Sequence, residues 1–281
     1  MTEAARDPRT GPVEDNLLDL LAGLAATPGL RSEHRPDVTT WSSDVAHPLL
    51  NGVAGARFPA DAAAARAGEV LGAYVARGRP FLWWTTPSTT SAPLEQVLGL
   101  LGLQPADSAG LHLALDDAGT GTGTGTGTRP APPPGITVRA AVRAREPVLD
   151  QVLVAAFGMA PEVAGPLARM HGGLDPARLH DVLAVVDGEP AGTGSLWVTG
   201  RTAGLYNIAT LGAARGRGVA TAVTSALVAT ARELGCTEVV LHASDLGLGV
   251  YRRLGFAPVC TVRQHLWVPP GPPRHAVRTD V

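Results

Sequence analysis

Residues 205–256 read LYNIATLGAARGRGVATAVTSALVATARELGCTEVVLHASDLGLGVYRRLGF, and their pattern indicates the class of structure to which the chain belongs. The first seven residues are mostly apolar or small and predict a strand, which gives way to a glycine-rich turn. A helix with one apolar face is expected to begin near Gly218 and to end at Gly235. Residues 238–243 then predict a β-branched strand, and residues 250–254 a short helix. This succession is typical of an α/β unit.

The turn at residues 215–220, Arg-Gly-Arg-Gly-Val-Ala, predicts an anion-binding site. Glycine lets the backbone approach a ligand closely, and the start of a helix presents unpaired N–H groups at the positive end of its dipole. Arg215 and Arg217 add fixed positive charge that suits phosphate oxygens. A Walker loop is excluded because the chain contains no lysine. A dinucleotide fingerprint is disfavoured because Thr221 stands where its third glycine would be.

Two motifs in this stretch resemble those of the GNAT superfamily of N-acetyltransferases. The acetyl-CoA loop of that family reads Arg/Gln-x-x-Gly-x-Gly/Ala after a strand, and Arg215, Gly218 and Ala220 match it here. Residues 250–256, Val-Tyr-Arg-Arg-Leu-Gly-Phe, resemble the Leu-Tyr-x-x-x-Gly-Phe segment that follows the fifth strand of the family. The resemblance implies an α/β (α+β) fold of the acyl-CoA N-acyltransferase type, with a mixed, mostly antiparallel central sheet and flanking helices.

Composition limits the classes of function that the chain can have. Its 281 residues are enough for two domains with their own cores, and its net charge of −2 gives no general attraction to nucleic acid or to an anionic membrane. No apolar run is long enough to cross a membrane and no signal peptide is present, so a cytoplasmic location is expected. Cys236 and Cys260 are too few for a disulfide framework. The eight histidines show no metal-ligand spacing, so no metal is predicted.

The chain is predicted to divide into two domains joined by a linker. Residues 1–36 form an extension with one helix, which Asp15 would cap after a disordered start, and residues 37–117 form the first α/β domain. Residues 118–134 hold five Gly-Thr repeats and a proline-rich run, which cannot build a core and indicate a linker. Residues 135–268 form the second domain. The remaining residues, 269–281, are expected to be a disordered tail.

A short internal similarity predicts that the first half is a degenerate copy of the second. Residues 98–105, Leu-Gly-Leu-Leu-Gly-Leu-Gln-Pro, resemble residues 251–258, Tyr-Arg-Arg-Leu-Gly-Phe-Ala-Pro, and each segment lies between two predicted strands. The first copy has Leu98 in place of Tyr251 and lacks the Arg-x-x-Gly-x-Gly/Ala loop. The chain therefore resembles the tandem two-domain acetyltransferases, with a competent second copy.

The resemblance implies a site for acetyl-CoA as co-substrate. Its pantetheine arm would dock along the central strand, and a free N–H of Leu211 would stabilise the oxyanion. Tyr251 is the candidate general acid for the departing thiolate. Ser244 stands where many relatives have asparagine. The predicted cofactor-binding residues are Thr210, Leu211, Arg215, Gly216, Arg217, Gly218, Val219, Ala220, Thr221 and Ser244.

The sequence leaves the general base and the acceptor site open. The predicted central strand lacks the glutamate that many relatives use, and the alternatives are Asn207 or Tyr206 ordering a water, His242 on the next strand, or a group from the first domain. A substrate amine that is already deprotonated would need no strong base. The acceptor site is expected from residues 158–179, the turn near Gly200 and the first domain. First-domain residues that could line it are Trp41, His47, Trp83 and Trp84, although both Trp83 and Trp84 are expected to be core.

These features predict an N-acetyltransferase that acts on the amine of a small molecule or an amino-acid derivative. Two alternatives stay open. One is a non-catalytic sensor that binds acyl-CoA or a metabolite, and the other is a protein N-acetyltransferase. The identity of the acceptor, the acyl-chain preference and the oligomeric state, a homodimer included, are also left open by the sequence.

Overall fold

The computed structural model describes residues 7–115 and 133–270 and arranges them around one mixed, mostly antiparallel sheet. Its strands are β1 Arg31–Arg35, β2 Val38–Ser42, β3 Gly52–Ala54, β4 Phe81–Thr85, β5 Gln104–Ala114, β6 Ile136–Ala141, β7 Leu179–Val186, β8 Glu189–Thr199, β9 Thr202–Thr210, β10 Glu238–Ala243 and β11 Ala257–Trp267. The helices are α1 Thr10–Ala25, α2 Ala63–Val75, α3 Ala92–Leu100, α4 Val148–Ala156, α5 Ala164–Gly172, α6 Val219–Glu233 and α7 Asp245–Arg253. The strand order across the sheet is β1-β2-β3-β4-β11-β5-β10-β9-β8-β7-β6. The predicted fold class is confirmed.

The two halves of the chain repeat one order of elements. In the first half, β3 and β4 are parallel and joined through α2, and α3 and the long strand β5 follow. In the second half, β9 and β10 are parallel and joined through α6, and α7 and the long strand β11 follow. This correspondence confirms that the first half is a degenerate copy of the second.

The repeated Leu/Tyr-x-x-x-Gly segment has the same local geometry in both halves. A glycine with a left-handed backbone follows each helix, Gly102 with φ 83° and Gly255 with φ 91°. The amide of the residue after that glycine then donates to a carbonyl in the last helical turn, as expected of a helix end of this type. These bonds join Leu103 N to Leu98 O at 3.0 Å and Phe256 N to Tyr251 O at 3.1 Å.

The halves exchange their last strands. Strand β5 of the first half pairs with β10 of the second, β11 pairs with β4 of the first half, and β5 and β11 pair with each other. Apolar side chains of β5, such as Leu111, join the same core cluster as α6 and α7. Each half therefore completes the sheet of the other. The boundaries 37–117 and 135–268 stay a prediction.

Helix α1 differs from its prediction. It begins at Thr10, and Asp15 lies exposed within it instead of capping it. Its start is fixed by tertiary packing, since Val13 and Leu17 are buried against the sheet. The helix contacts strands of both halves. Helix α1, which belongs to the predicted extension, therefore packs against both halves.

The prediction for the second half is accurate near the glycine-rich turn. Helix α6 ends in Leu234 and the left-handed Gly235, and β10 has the predicted bounds. Helix α7 begins five residues earlier than predicted, at Asp245.

The Gly-Thr repeats and residues 271–281 of the tail lie outside the described residues. Within the described ranges, the structure has no helix that is both long and apolar enough to span a bilayer.

Candidate active site

A gap opens between the parallel strands β9 and β10. In the described part of the chain, these strands pair at four positions, from Thr202 opposite Glu238 to Leu205 opposite Leu241. Beyond Leu205, β9 continues beside β8 alone. The register of β8 and β9 shifts there, and Asn207 adopts a left-handed backbone with φ 53°. A bulge of this kind bends a strand, and here it accompanies the divergence of β9 from β10.

The backbone of β9 offers hydrogen-bonding groups to this gap. Leu211 N–H donates to Ala191 O at 2.9 Å, so the expectation that it is free is wrong. The reason is that β8 still runs beside the chain at this point. Along an antiparallel ladder, successive residues turn their N–H groups to opposite sides. The N–H groups of Thr210 and Ile208 are therefore directed away from β8 and toward the gap.

The glycine-rich turn lies at the wide end of the gap. A 3₁₀ turn at Gly212–Ala214 leads into residues 215–218, and α6 begins at Val219. Gly216 and Gly218 have φ values of 76° and 94°, which L side chains rarely adopt. Within residues 7–115 and 133–270, the N–H groups of residues 216–221 have no hydrogen-bond acceptor. The turn is therefore a cradle of donors suited to an anion.

The two arginines of the turn make weak surface contacts. Arg215 donates to Ala156 O at 3.1 Å, and Arg217 forms an ion pair with Asp187 at 2.8 Å. Both partners of that ion pair are exposed, so it stabilises the fold little. These guanidinium groups can therefore exchange their present partners for a phosphate.

Other predicted cofactor contacts surround the gap. Thr221 is half-buried in the first turn of α6, and Ser244 is exposed at the N-cap of α7. The Oγ1 atom of Thr210 is enclosed without a hydrogen-bond partner among the described residues. Gly218 lies close to Pro133, whose Cγ would be 2.9 Å from a Cβ at this position. A side chain at residue 218 would therefore collide with its surroundings as well as strain the backbone.

Tyr251 lies on α7, in the core cluster shared with α6 and β9. Its ring packs edge-on against Phe256, with 6.0 Å between ring centroids. Burial raises the pKa of Tyr251 to about 12. Among the described residues its hydroxyl has no hydrogen-bond partner. The phenol is therefore protonated near neutral pH and free to donate to a ligand.

Helix α1 covers the face of the sheet opposite to α6. On that face, three aromatic side chains lie at the narrow end of the gap, where the pairing of β9 and β10 ends. His242 follows the last β10 residue that pairs with β9, and Tyr206 follows its partner on β9. The His242 ring lies 5.7 Å from that of Tyr206 and 5.7 Å from that of Trp84. Burial lowers the pKa of His242 to about 4. The structure thus brings together Tyr206 and His242, two candidates for proton transfer.

Asn207 belongs to a buried polar network that the sequence did not reveal. Its Nδ2 donates to Ser195 Oγ at 3.3 Å, and that hydroxyl donates to Asp181 at 2.6 Å. Arg143 bridges Asp181 and Asp150, at 2.6 Å and 2.7 Å. These partners are far apart in sequence, and the only local signal was an aspartate inside each of two apolar segments. The network ties the bulge of β9 to β7, β8 and α4.

A histidine side chain also joins this network. His171 on α5 lies 2.9 Å from Asp150 Oδ1 through its Nδ1. Burial alone would raise the pKa of Asp150, but the hydrogen bond with His171 and the Arg143 guanidinium outweigh it and hold that pKa below its ordinary value. His171 lies within residues 158–179, the segment expected to help form the acceptor site.

The other residues expected at the acceptor site lie elsewhere. Trp83 is fully buried in the cluster under α2 and α3, and Trp41 is buried beneath α1. The turn at Gly200 joins β8 to β9 at the end of β9 opposite to the gap. His47 lies in the loop before the 3₁₀ turn at Pro48–Leu50. Trp84, expected to be core, is buried and yet reaches His242.

Comparisons with known proteins agree with this geometry. Residues 155–256 match the model of the acetyltransferase (GNAT) family, a range that includes the glycine-rich turn and Tyr251. No curated protein matches the chain.

Several solved structures share the fold over nearly the whole chain. A GCN5-related N-acetyltransferase from Kribbella flavida is 20% identical with a TM-score of 0.67, over 92% of this chain and 96% of its own. A GCN5-related N-acetyltransferase from Sphaerobacter thermophilus is 19% identical with a TM-score of 0.57, over 95% and 96%. A tandem GNAT protein from the clavulanic acid biosynthesis pathway is 17% identical with a TM-score of 0.56, over 96% and 97%. The chain therefore contains an acetyltransferase domain of the GNAT family at residues 155–256, and its fold as a whole is shared with these structures.

Proposed function

We propose that the protein transfers an acetyl group from acetyl-CoA to the amine of a small molecule or an amino-acid derivative. The observation that carries this proposal is the continuity of the gap with the glycine-rich turn. The N–H groups of residues 216–221, which have no acceptor among the described residues, lie at one end, and those of Ile208 and Thr210 face the gap itself. Such a row of donors suits a ligand that has a pyrophosphate at one end and an amide-containing arm.

The cofactor would be held mainly by backbone groups. The pyrophosphate would accept hydrogen bonds from the cradle at residues 216–221, with Arg215 and Arg217 turning from their surface partners to its oxygens. The pantetheine arm would fill the gap against Thr210, beside Leu211. Ser244 and Thr221 would contact the cofactor from α7 and α6. Because a β-strand edge binds an extended chain without regard to side chains, this mode suits the pantetheine arm.

The chemistry would use groups on both sides of the gap. The amine attacks the thioester carbonyl, and the N–H of Ile208 stabilises the oxyanion in the role first expected of Leu211. Tyr251 then donates a proton to the departing thiolate. The raised pKa of Tyr251 favours this role as a hydrogen-bond donor, since the phenol stays protonated near neutral pH.

A sensor that binds acyl-CoA without turnover is the second candidate. One observation favours it: β9, read from Thr202 to Thr210, contains no aspartate or glutamate that could act as a base. The same cofactor site would serve both functions. Binding and turnover must therefore be measured separately.

The test is calorimetric titration with acetyl-CoA, followed by thiol release against alkylamines, arylamines, amino acids and peptides. We expect binding by the wild type and none by Gly218→Glu, which places a carboxylate in the pyrophosphate cradle. Gly29→Glu is the matched control, because Gly29 has a φ of 93° against 94° at Gly218 and lies outside the site.

Binding with thiol release on at least one amine supports the enzyme. Binding without release on any amine supports the sensor. If Gly218→Glu binds acetyl-CoA as tightly as Gly29→Glu, the cradle is not the cofactor site.

A further inference from the structure

We propose that His242 accepts the proton of the attacking amine, in a pocket that Trp84 of the first half closes. This inference rests on the proposed acetyltransferase function and assigns the base that β9 does not supply. It also gives the degenerate first half a direct part in the site of the second half.

The position of His242 follows from the shape of the gap. A cofactor whose pyrophosphate lies at the glycine-rich turn enters from the wide end, so its acyl group lies toward the narrow end. That end is closed by the pair Leu205 and Leu241. The next residues, Tyr206 and His242, flank the position that the acyl group would reach. Val239 and Leu241 pack on the α6 face and Val240 packs on the α1 face, so the alternation of β10 places His242 on the α1 face.

This placement separates the two proton-transfer groups. Tyr251 belongs to the cluster on the α6 face, whereas His242 lies on the α1 face. A carbonyl held between β9 and β10 would then have a proton donor for its sulfur on one side and a proton acceptor for the amine on the other. The amine would approach from the α1 face.

The surroundings of His242 suit a neutral imidazole. Its Nε2 is enclosed and has no hydrogen-bond partner in the described part of the chain. The aromatic neighbours supply no charge, because Trp84 is neutral and the Tyr206 hydroxyl donates to Asn16 Oδ1 at 2.6 Å. A buried ring nitrogen without a partner costs free energy, which a hydrogen bond from a bound ligand would recover.

Four other histidines among the described residues differ from His242 in one of these respects. His171, His112 and His265 contact Asp150, Glu238 and Thr85 respectively. His180 also has an enclosed Nε2 without a partner, but it lies on β7, two strands away from β9. His180 is therefore the natural control for His242.

The Trp84 ring contacts His242 because β11 and β5, the exchanged strands, lie side by side between β4 and β10. His242 lies opposite Gly110 on β5, and Trp84 lies opposite Gln264 on β11. Gly110 has no side chain, and a Cβ there would come within 2.4 Å of Cys260 Sγ. The Trp84 ring, from the fourth strand of the first half, therefore extends over two intervening strands to contact His242.

The proposed step balances protons and electrons. The amine nitrogen forms a bond to the carbonyl carbon, and the carbonyl π pair moves to oxygen. His242 takes the proton that the nitrogen loses. The oxygen pair then returns, the carbon–sulfur bond breaks, and Tyr251 protonates the thiolate. Exchange with water returns the proton of His242 to solvent and restores that of Tyr251.

The test compares His242→Gln, His242→Ala and His242→Phe with His180→Gln, using an amine that the wild type acetylates. We expect the His242 variants to bind acetyl-CoA like the wild type, while kcat falls about 100-fold, the lower range for a lost general base. Added imidazole should restore part of the activity to His242→Ala, because the vacated pocket can admit it. His180→Gln should keep wild-type kcat. His242→Phe retains an aromatic ring between Trp84 and Tyr206, so it tests the role in a variant that keeps the packing.

The outcomes separate this inference from the proposed function. If the wild type is active and the folded His242→Phe and His242→Gln keep its kcat, the inference is wrong and the acetyltransferase function stands. Loss of activity in His242→Ala that imidazole does not restore also argues for a structural role. If the wild type binds acetyl-CoA and acetylates no amine, the proposed function fails first.

Discussion

Tyr251 combines burial with a hydroxyl that has no partner among the described residues, and this combination favours a role toward a ligand. Its ring is held by contacts with Phe256 and the α6 cluster. Its raised pKa makes the free phenol a weaker acid, but burial also raises the pKa of a thiolate held in the same apolar surroundings. A short hydrogen bond between the two groups would therefore stabilise the leaving thiolate.

Tyr251→Phe removes the hydroxyl and keeps the ring. We expect kcat to fall about 100-fold, because a lost general acid typically costs at least that factor, with acetyl-CoA affinity and thermal stability close to wild type. Thiol-release kinetics, calorimetry and thermal unfolding measure the three quantities. A wild-type kcat would mean that Tyr251 only packs α7 against the sheet.

His242 gives the fold a dependence on pH that can be measured without a substrate. Burial lowers its pKa from 6.5 to about 4, so between these values the unfolded chain binds more protons than the folded one. The free energy of unfolding should therefore fall as pH falls through this range, by up to about 1.4 kcal/mol per pH unit from this group. Burial also lowers the pKa values of His47 and His265, so the quantity to measure is a difference between variants.

Denaturant unfolding of wild type and His242→Phe at pH 7 and pH 5 supplies that difference. The wild type should lose more stability than the variant between the two pH values. Equal losses would show that the His242 imidazole is not kept neutral by the fold.

At the scale of elements, the bulge of β9 is the feature that shapes the gap. Asn207 holds a left-handed backbone there, and its amide reaches the network of Ser195, Asp181 and Arg143. A left-handed conformation costs a side chain with a Cβ about 1–2 kcal/mol, and asparagine tolerates it better than most residues.

Replacing Asn207 with alanine or glycine separates the backbone from the hydrogen bond. Asn207→Gly should keep the bulge and bind acetyl-CoA close to wild type, whereas Asn207→Ala should favour an ordinary strand and bind more weakly. Calorimetry measures both affinities, and thermal unfolding tests for the accompanying loss of about 1 kcal/mol in the alanine variant. Equal affinities in the two variants would mean that the bulge does not shape the cofactor site.

The sequence predicted elements whose limits are set locally. Gly218 and Gly235 flank α6, and the β-branched run of β10 was predicted with its observed bounds. The sequence did not predict β1, since Arg31–Arg35 has no apolar residue and forms a strand only through pairing with β2. It could not predict the Leu211 hydrogen bond, because that bond depends on how β8 is aligned with β9. It could not predict the Arg143 network either, because Arg143 and Asp181 are distant in sequence and meet only in the folded chain.

At the scale of the whole molecule, the exchange of β5 and β11 joins the two halves in one continuous sheet. Strand β5 lies between β10 and β11, so it covers the edge of β10 that carries His242. Helix α1 covers the same region from one face, and its Asn16 binds the Tyr206 hydroxyl. The first half thus supports the site of the second without having a glycine-rich turn of its own.

Deletion of residues 1–117 tests this dependence. It removes α1, Trp84 and β5, and it exposes the edge of β10 together with apolar residues such as Val240, which is 1% exposed in the full chain. We expect the remaining residues to aggregate or to stay unfolded, and not to bind acetyl-CoA.

As a control, a protease site inserted among the Gly-Thr repeats should let the full chain be cut after folding, with both pieces co-eluting on size exclusion and still binding acetyl-CoA. A truncated chain that is folded, monomeric and able to bind acetyl-CoA would mean that the second half forms a complete core without the exchanged strand.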